Sequence, residues 1–307
     1  MTWLIVLEKM IMLVLLMVVG FGSAKVGWVD GDFSQKASRL VMNVFVVGLI
    51  VSSVVNTEPI MTNGELAVAV ASVFLVFFLG GVLGWLAARL LRFRGRDRNV
   101  AWLSVFFMNN VFIGFPVVEA LFGAEAIFCA SLSNLPFNLL LYTVGVAYLQ
   151  VGEGRGRVKL REVFSIPLVA TLLAIGLFLF QIPVPELVVD TCRTLGAATV
   201  PVSMIIVGIS LSHVPIREAL LDGKAYAVSL VKLILCPLVT WAVLRLFLDP
   251  SSLIFGVLVV IAACPSAAMI TILSVRFGAD DTLASKIKFL STVLSAVTLP
   301  LMTYLLL

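Results

Sequence analysis

The chain has 307 residues, 61% hydrophobic and 12% charged, with a mean hydropathy of +1.16. A soluble domain carries roughly 25% charged residues, so the composition excludes one and indicates an integral membrane protein. The net charge of +4 is no sign of a nucleic-acid partner, because the basic residues gather between apolar runs, where they set membrane orientation.

The apolar runs predict ten membrane-crossing helices, at 3–23, 35–56, 65–91, 100–122, 125–150, 162–181, 187–211, 223–247, 252–276 and 281–306. At about 20 residues per span this uses the whole sequence as one membrane domain without a soluble part. The first run ends near Gly22-Ser23-Ala24 like a cleavable leader, but Glu8 and Lys9 lie inside it rather than in a basic stretch ahead of it, so it is read as the first helix. The second carries Asn43 in an otherwise apolar stretch.

The fourth run, VAWLSVFFMNNVFIGFPVVEALFG at 100–123, is the one that breaks pattern. It is long enough to cross a bilayer, yet it places Asn109, Asn110, Gly114 and Pro116 near its middle. Proline has no N–H to give, so the carbonyl of Phe112 loses its partner and the helix is expected to kink or break there. The ninth run repeats the feature, with Pro265 and Ser266 at the centre of IFGVLVVIAACPSAAMITILSV. A broken backbone at membrane depth is tolerated only where protein buries it or it lines a watery cavity, and a pair of such breaks in corresponding halves points to a transporter site.

Between these runs, the fifth holds Ser131 and Asn134 in SLSNLPFN, suited either to substrate contact or to hydrogen bonding between helices. Lys232 lies about two turns into the eighth, where it attracts an anion or snorkels to the interface. Lys286 and Lys288 begin the tenth beside Asp280 and Asp281 and are read as snorkelling or ion-paired. Glu119 and Glu125 fall towards the outer end of the fourth and are read as interfacial.

Loop charge tests the division independently. Lys and Arg populate the loops after the first, third, fifth, seventh and ninth helices, most densely in RFRGRDR at 92–98 and GEGRGRVKLR at 152–161, whereas the other side has only Lys9, Arg193 and Arg245. By the positive-inside rule the former loops are cytoplasmic, which places both termini outside the cell membrane. Five helices per half, 1–150 and 162–307 joined by a cytoplasmic linker 151–161, make the second half enter from the opposite side, an inverted repeat. A weak echo agrees: Phe122-Gly123-Ala124-Glu125 follows the fourth helix and Phe277-Gly278-Ala279-Asp280 the ninth.

Cys129, Cys192, Cys236 and Cys264 are dispersed without paired spacing, and His213 is the single histidine, so neither a metal site nor a cofactor is indicated. Nor is there a buried acid pair, a His cluster or a Ser/His arrangement of the kind an enzyme needs.

The sequence resembles the auxin efflux carrier family, which includes plant auxin exporters and bacterial permeases. The resemblance is carried by NNVFIGFPVVEALFGAEAI from Asn109, LGAATVPVSMIIVGISL from Leu195, LVKLILCPLVTWAVLRL from Leu230, and the end segment from Cys264-Pro265 through ITILSVRFGADDTLASKIKFLSTVLSAVTLPL. It implies an all-α membrane protein of ten helices in a 5+5 inverted repeat. The first, second, sixth and seventh would form a scaffold, and the third to fifth and eighth to tenth a transport domain. The fourth and ninth helices would be broken at prolines, here Pro116 and Pro265, and would cross near the midplane with substrate beside the crossover. One departure stands out: family members often carry a proline in the second helix, and Leu40 to Val54 has none.

Broken helices expose N–H groups with partial positive charge, suited to a carboxylate. Asn109, Asn110 and Ser266 are the foremost candidates for contact with substrate, or Ser266 for capping a restarted half-helix; Asn134, Ser131, Asn43 and Lys232 follow. The expected function is a secondary carrier for a small organic anion, with the lipid bilayer as its other partner and a homodimer as an admissible assembly. Sodium- or proton-coupled uptake is the alternative mechanism, and a membrane ligand sensor the alternative class.

Overall fold

A computed structural model describes residues 3–55, 61–149, 164–212 and 219–307. Among these residues there is no strand, and twelve helical segments follow in order: α1 Trp3–Lys25, α2 Gly31–Ser52, α3 Asn63–Leu90, α4 Gly95–Phe106, α5 Asn110–Phe122, α6 Ala126–Leu149, α7 Ile166–Phe180, α8 Glu186–Ser212, α9 Gly223–Leu244, α10 Leu253–Ala263, α11 Ala268–Phe277 and α12 Asp281–Leu306. Seven of them, α1, α2, α3, α6, α8, α9 and α12, are long and apolar enough to cross a membrane. The predicted fourth and ninth spans are each two short pieces, and the predicted sixth is the 15-residue α7, about 22 Å long against about 30 Å of hydrocarbon. The protein is therefore an all-helical, multi-pass membrane protein. The predicted linker 151–161 lies outside the described residues.

Local chemistry sets the helix ends. Asp30, Ser165, Asp222, Ser252 and Asp280 each accept the N–H three residues on, closing the starts of α2, α7, α9, α10 and α12. At α3 the exchange is reciprocal: the Thr62 N–H donates to Glu65 Oε2 at 2.6 Å and the Glu65 N–H to Thr62 Oγ1 at 3.2 Å. The two echoed tetrapeptides both fall where a short piece ends. Gly123 after α5 and Gly278 after α11 have φ of 89° and 68°, values that glycine adopts without steric cost.

The chain forms two compact units. One comprises Met1–Ala71, Asn110–Leu135 and Phe164–His213. It is held by close helix contacts that only small residues permit. A Cβ on Gly20 of α1 would overlap the Ile205 carbonyl of α8, and one on Gly208 of α8 would overlap the Met17 carbonyl of α1. Gly48 of α2 and Gly196 of α8 serve the second contact, where a Cβ on Gly48 would lie 2.7 Å from the Cys192 carbonyl oxygen. Lipid supplies no hydrophobic force between helices, so such close approach is how they gain packing energy.

The other unit comprises Ser72–Asn109, Pro136–Val163 and Val214–Leu307. Within it α12 packs against α4, α9, α10 and α11. Trp102 of α4 donates its indole N–H to the Gly81 carbonyl of α3 at 2.8 Å. This division departs from the one implied by the family resemblance in two places: the start of α3, up to Ala71, and Asn110–Leu135 both group with α1, α2, α7 and α8.

Candidate functional site

The two interruptions meet inside the second unit. α4 stops at Phe106, and Phe107 is extended at φ −100°, ψ 131°. α10 stops at Ala263, with Cys264 extended at φ −64°, ψ 147° and Ala267 at φ −67°, ψ 133°. The two extended stretches lie antiparallel, Met108 opposite Ser266. The Ala267 N–H donates to the Phe107 carbonyl at 3.1 Å, and the Asn109 N–H to the Pro265 carbonyl at 2.8 Å. Each break thus satisfies the backbone groups that the other leaves open, which is the condition for irregular chain at membrane depth.

Ser266, 2% exposed, completes the junction from both ends. Its hydroxyl donates to the Ser104 carbonyl at 2.6 Å and its N–H to Ser291 Oγ at 3.2 Å. It therefore does not cap the restarted half-helix: Ala267 holds that place, and no side chain caps α11. Phe107 is anchored by the rings of Phe77, Phe106 and Phe137 at centroid distances of 6.3, 4.5 and 5.6 Å.

Pro116 is not where the helix breaks. Residues Asn110–Gly114 form a wider π turn that runs directly into α-helix at Phe115, with Pro116 in its first turn. The ring of proline clashes with the carbonyl four residues back, here Phe112, and widening the turn around that carbonyl relieves the clash without ending the helix. The same device recurs in α9, where the π turn Val231–Leu235 precedes Pro237 and contains Leu233, four residues back. Gly114 closes the first of these turns, and the interruption itself lies upstream at Phe107–Asn109.

The predicted polar residues separate into groups. Asn109 is half-buried, and its carboxamide has no hydrogen-bond partner among the described residues. Asn110, 2% exposed, belongs to the first unit, where its side-chain N–H groups donate to Ser133 Oγ at 2.7 Å and Asn134 Oδ1 at 3.3 Å. The Asn134 amide donates to Thr171 Oγ1 of α7 at 3.2 Å, and Thr171 in turn donates towards the carbonyls of Pro167 at 2.9 Å and Ser131 at 3.2 Å. The Ser131 hydroxyl turns back to the Phe128 carbonyl at 2.8 Å. Asn110, Ser131 and Asn134 are thus joined in one buried network linking α5, α6 and α7. Asn43 stands apart, exposed on the π turn of α2.

Lys232 does not snorkel. It is 1% exposed, and its Nζ donates to the Ala262 carbonyl at the end of α10, at 3.5 Å. Lys286 pairs with Asp222 at 3.4 Å. Glu119 is less interfacial than its position suggests, since its Oε2 is buried without a partner among the described residues.

Sequence reasoning missed Ser104, Ser133, Thr171 and Ser291. Ser104 and Thr171 stand alone in apolar runs and Ser133 and Ser291 beside other polar residues, a visible signal, but their partners sit on other segments and only the fold pairs them.

The sequence also matches known membrane proteins. The family described as membrane transport protein matches residues 5–157 and 155–303. The chain is 28% identical over 298 residues to an uncharacterized transporter of Methanothermobacter thermautotrophicus, covering 96% of each protein. It is 26% identical over 315 residues to the uncharacterized transporter MJ1031 of Methanocaldococcus jannaschii, covering 98% of this chain and 99% of that one.

Proposed function

Because the chain belongs to the membrane transport protein family, the auxin efflux carrier family that its sequence resembles, we propose that it is a secondary carrier moving a small organic anion, a carboxylate, across the cell membrane by alternating access. The observation that carries this reading is the junction at Met108 and Ser266. There α11 begins with no side-chain cap, and its first N–H groups bear partial positive charge beside Asn109, whose carboxamide has no partner among the described residues. Lys232 at the preceding helix end places a basic group at the same break, and together these favour an anion.

Ten spans in a 5+5 inverted repeat, with both termini outside, form part of the reading. Its support is the pair of interrupted spans, the matching glycine ends after α5 and α11, and the alternation of loop charge. Export needs no coupled ion in this scheme. A potential of about 100 mV, negative inside, favours exit of one negative charge by about 2.3 kcal/mol, or roughly 50-fold.

The test is a thermal-shift screen of detergent-purified protein against mono- and dicarboxylates, followed by counterflow of the labelled hit in proteoliposomes. A carboxylate that raises stability and then exchanges supports the carrier. Flux that appears only under an imposed sodium or proton gradient replaces it with coupled uptake, and binding without counterflow replaces it with a sensor.

A further inference from the structure

The broken end of α10 leaves a specific account of carbonyl groups. In an uninterrupted helix the carbonyls of Val260, Ile261 and Ala262 would accept the N–H groups of Cys264, Pro265 and Ser266. Pro265 has none to give, and the Ser266 N–H is diverted to Ser291 Oγ at 3.2 Å. The Cys264 N–H moves to Ile261 at 3.2 Å and its thiol takes Val260 at 3.3 Å. The Ala267 N–H goes to Phe107 rather than back to Ala263, so the carbonyls of Ala262 and Ala263 remain, and Lys232 Nζ meets that of Ala262 at 3.5 Å.

The lysine comes from a different helix, and the sequence of that helix explains its reach. Lys232 lies in the π turn Val231–Leu235 that accommodates Pro237, and this turn packs against α4, α10 and α12. Lys232 is 1% exposed, and no carboxylate pairs with it among the described residues. A buried ammonium without a counter-ion is costly. What offsets it here is the negative end of the α10 dipole. A helix C-terminus with freed carbonyls at membrane depth is also the environment in which transporters hold a free sodium ion.

We propose that Lys232 is a tethered cation: its ammonium fills, at the C-terminal end of α10, the place that a free alkali cation would otherwise occupy, so the junction is complete without sodium. The inference deepens the carrier reading and rests on it for its meaning in transport, since a filled place leaves the anion to move without a cation partner.

The experiment reads stability rather than flux, so a failed counterflow and a failure here are separate results. Melting of the purified wild-type protein is followed across a sodium titration against choline at constant ionic strength, alongside Lys232→Ala, which empties the place, and Lys232→Gln, which keeps a neutral donor there. The wild type is expected to melt at one temperature throughout. Each variant is expected to melt lower in choline and to regain about 3 °C as sodium saturates the vacated place. Saturable stabilisation of the wild type by sodium overturns the inference without reference to any variant. Variants indifferent to sodium overturn it as well, with Lys232→Gln deciding if Lys232→Ala does not fold.

Discussion

The hydroxyl of Ser266 donates to the carbonyl of Ser104, 162 positions away in sequence, at 2.6 Å. One side chain thus closes the end of α4 from the break that follows α10. Ser266→Ala leaves that carbonyl buried and unpaired, at a cost of about 1–3 kcal/mol. The variant is expected to melt several degrees below wild type in detergent, and an unchanged melting temperature would remove the bond from the account.

Asn109 and Asn110 are adjacent but are expected to behave differently. The Asn109 carboxamide has no hydrogen-bond partner among the described residues, so Asn109→Ala should keep its melting temperature and lose the shift produced by the transported carboxylate. Both N–H groups of the Asn110 amide are engaged, so Asn110→Ala should lower stability by about 1–3 kcal/mol and retain the carboxylate shift. Melting curves of both variants with and without ligand decide it; a loss of ligand shift in Asn110→Ala alone would reverse the assignment.

Two glycines give opposite signs on substitution. A Cβ at Gly208 would overlap the Met17 carbonyl, whereas a Cβ at Gly176 of α7 meets nothing within 4 Å. Gly208→Ala should force α1 and α8 apart at about 1–3 kcal/mol or more. Gly176→Ala should stabilise α7 by up to about 1 kcal/mol through helix propensity. Equal effects of the two on denaturation would refute the close-contact description.

Asn43 lies exposed on α2 and shares no hydrogen bond with Asn110, Ser131 or Asn134 among the described residues. Asn43→Ala is expected to change neither the carboxylate shift nor counterflow, and a reduced rate in that variant would return it to the site.

The short-range grammar of this chain was open to reading without coordinates. Apolar runs bounded by Asp, Ser and Gly located α3, α6, α8, α9 and α12 to within a few residues, because helix length, capping and the cost of polar groups in lipid are local constraints. The two interrupted spans were legible for the same reason: Pro265 and the amides of Asn109 and Asn110 cannot sit unremarked in an apolar helix.

Other features were decided by neighbours distant in sequence. Pro116 carried a correct local signal with an incorrect consequence, since a π turn absorbed the proline and the break fell at Phe107–Asn109, where Pro265 and Ala267 could take over its hydrogen bonds. By sequence Lys232 is close enough to a helix end to snorkel, and the freed Ala262 carbonyl holds it inside instead. Asn109 and Asn110 are alike in sequence, and only the packing of α5 against α6 engaged the amide of Asn110. Periodicity and propensity are properties of a segment and can be read from it. Which buried donor meets which acceptor depends on groups brought together from far along the chain, and that was settled by the tertiary structure alone.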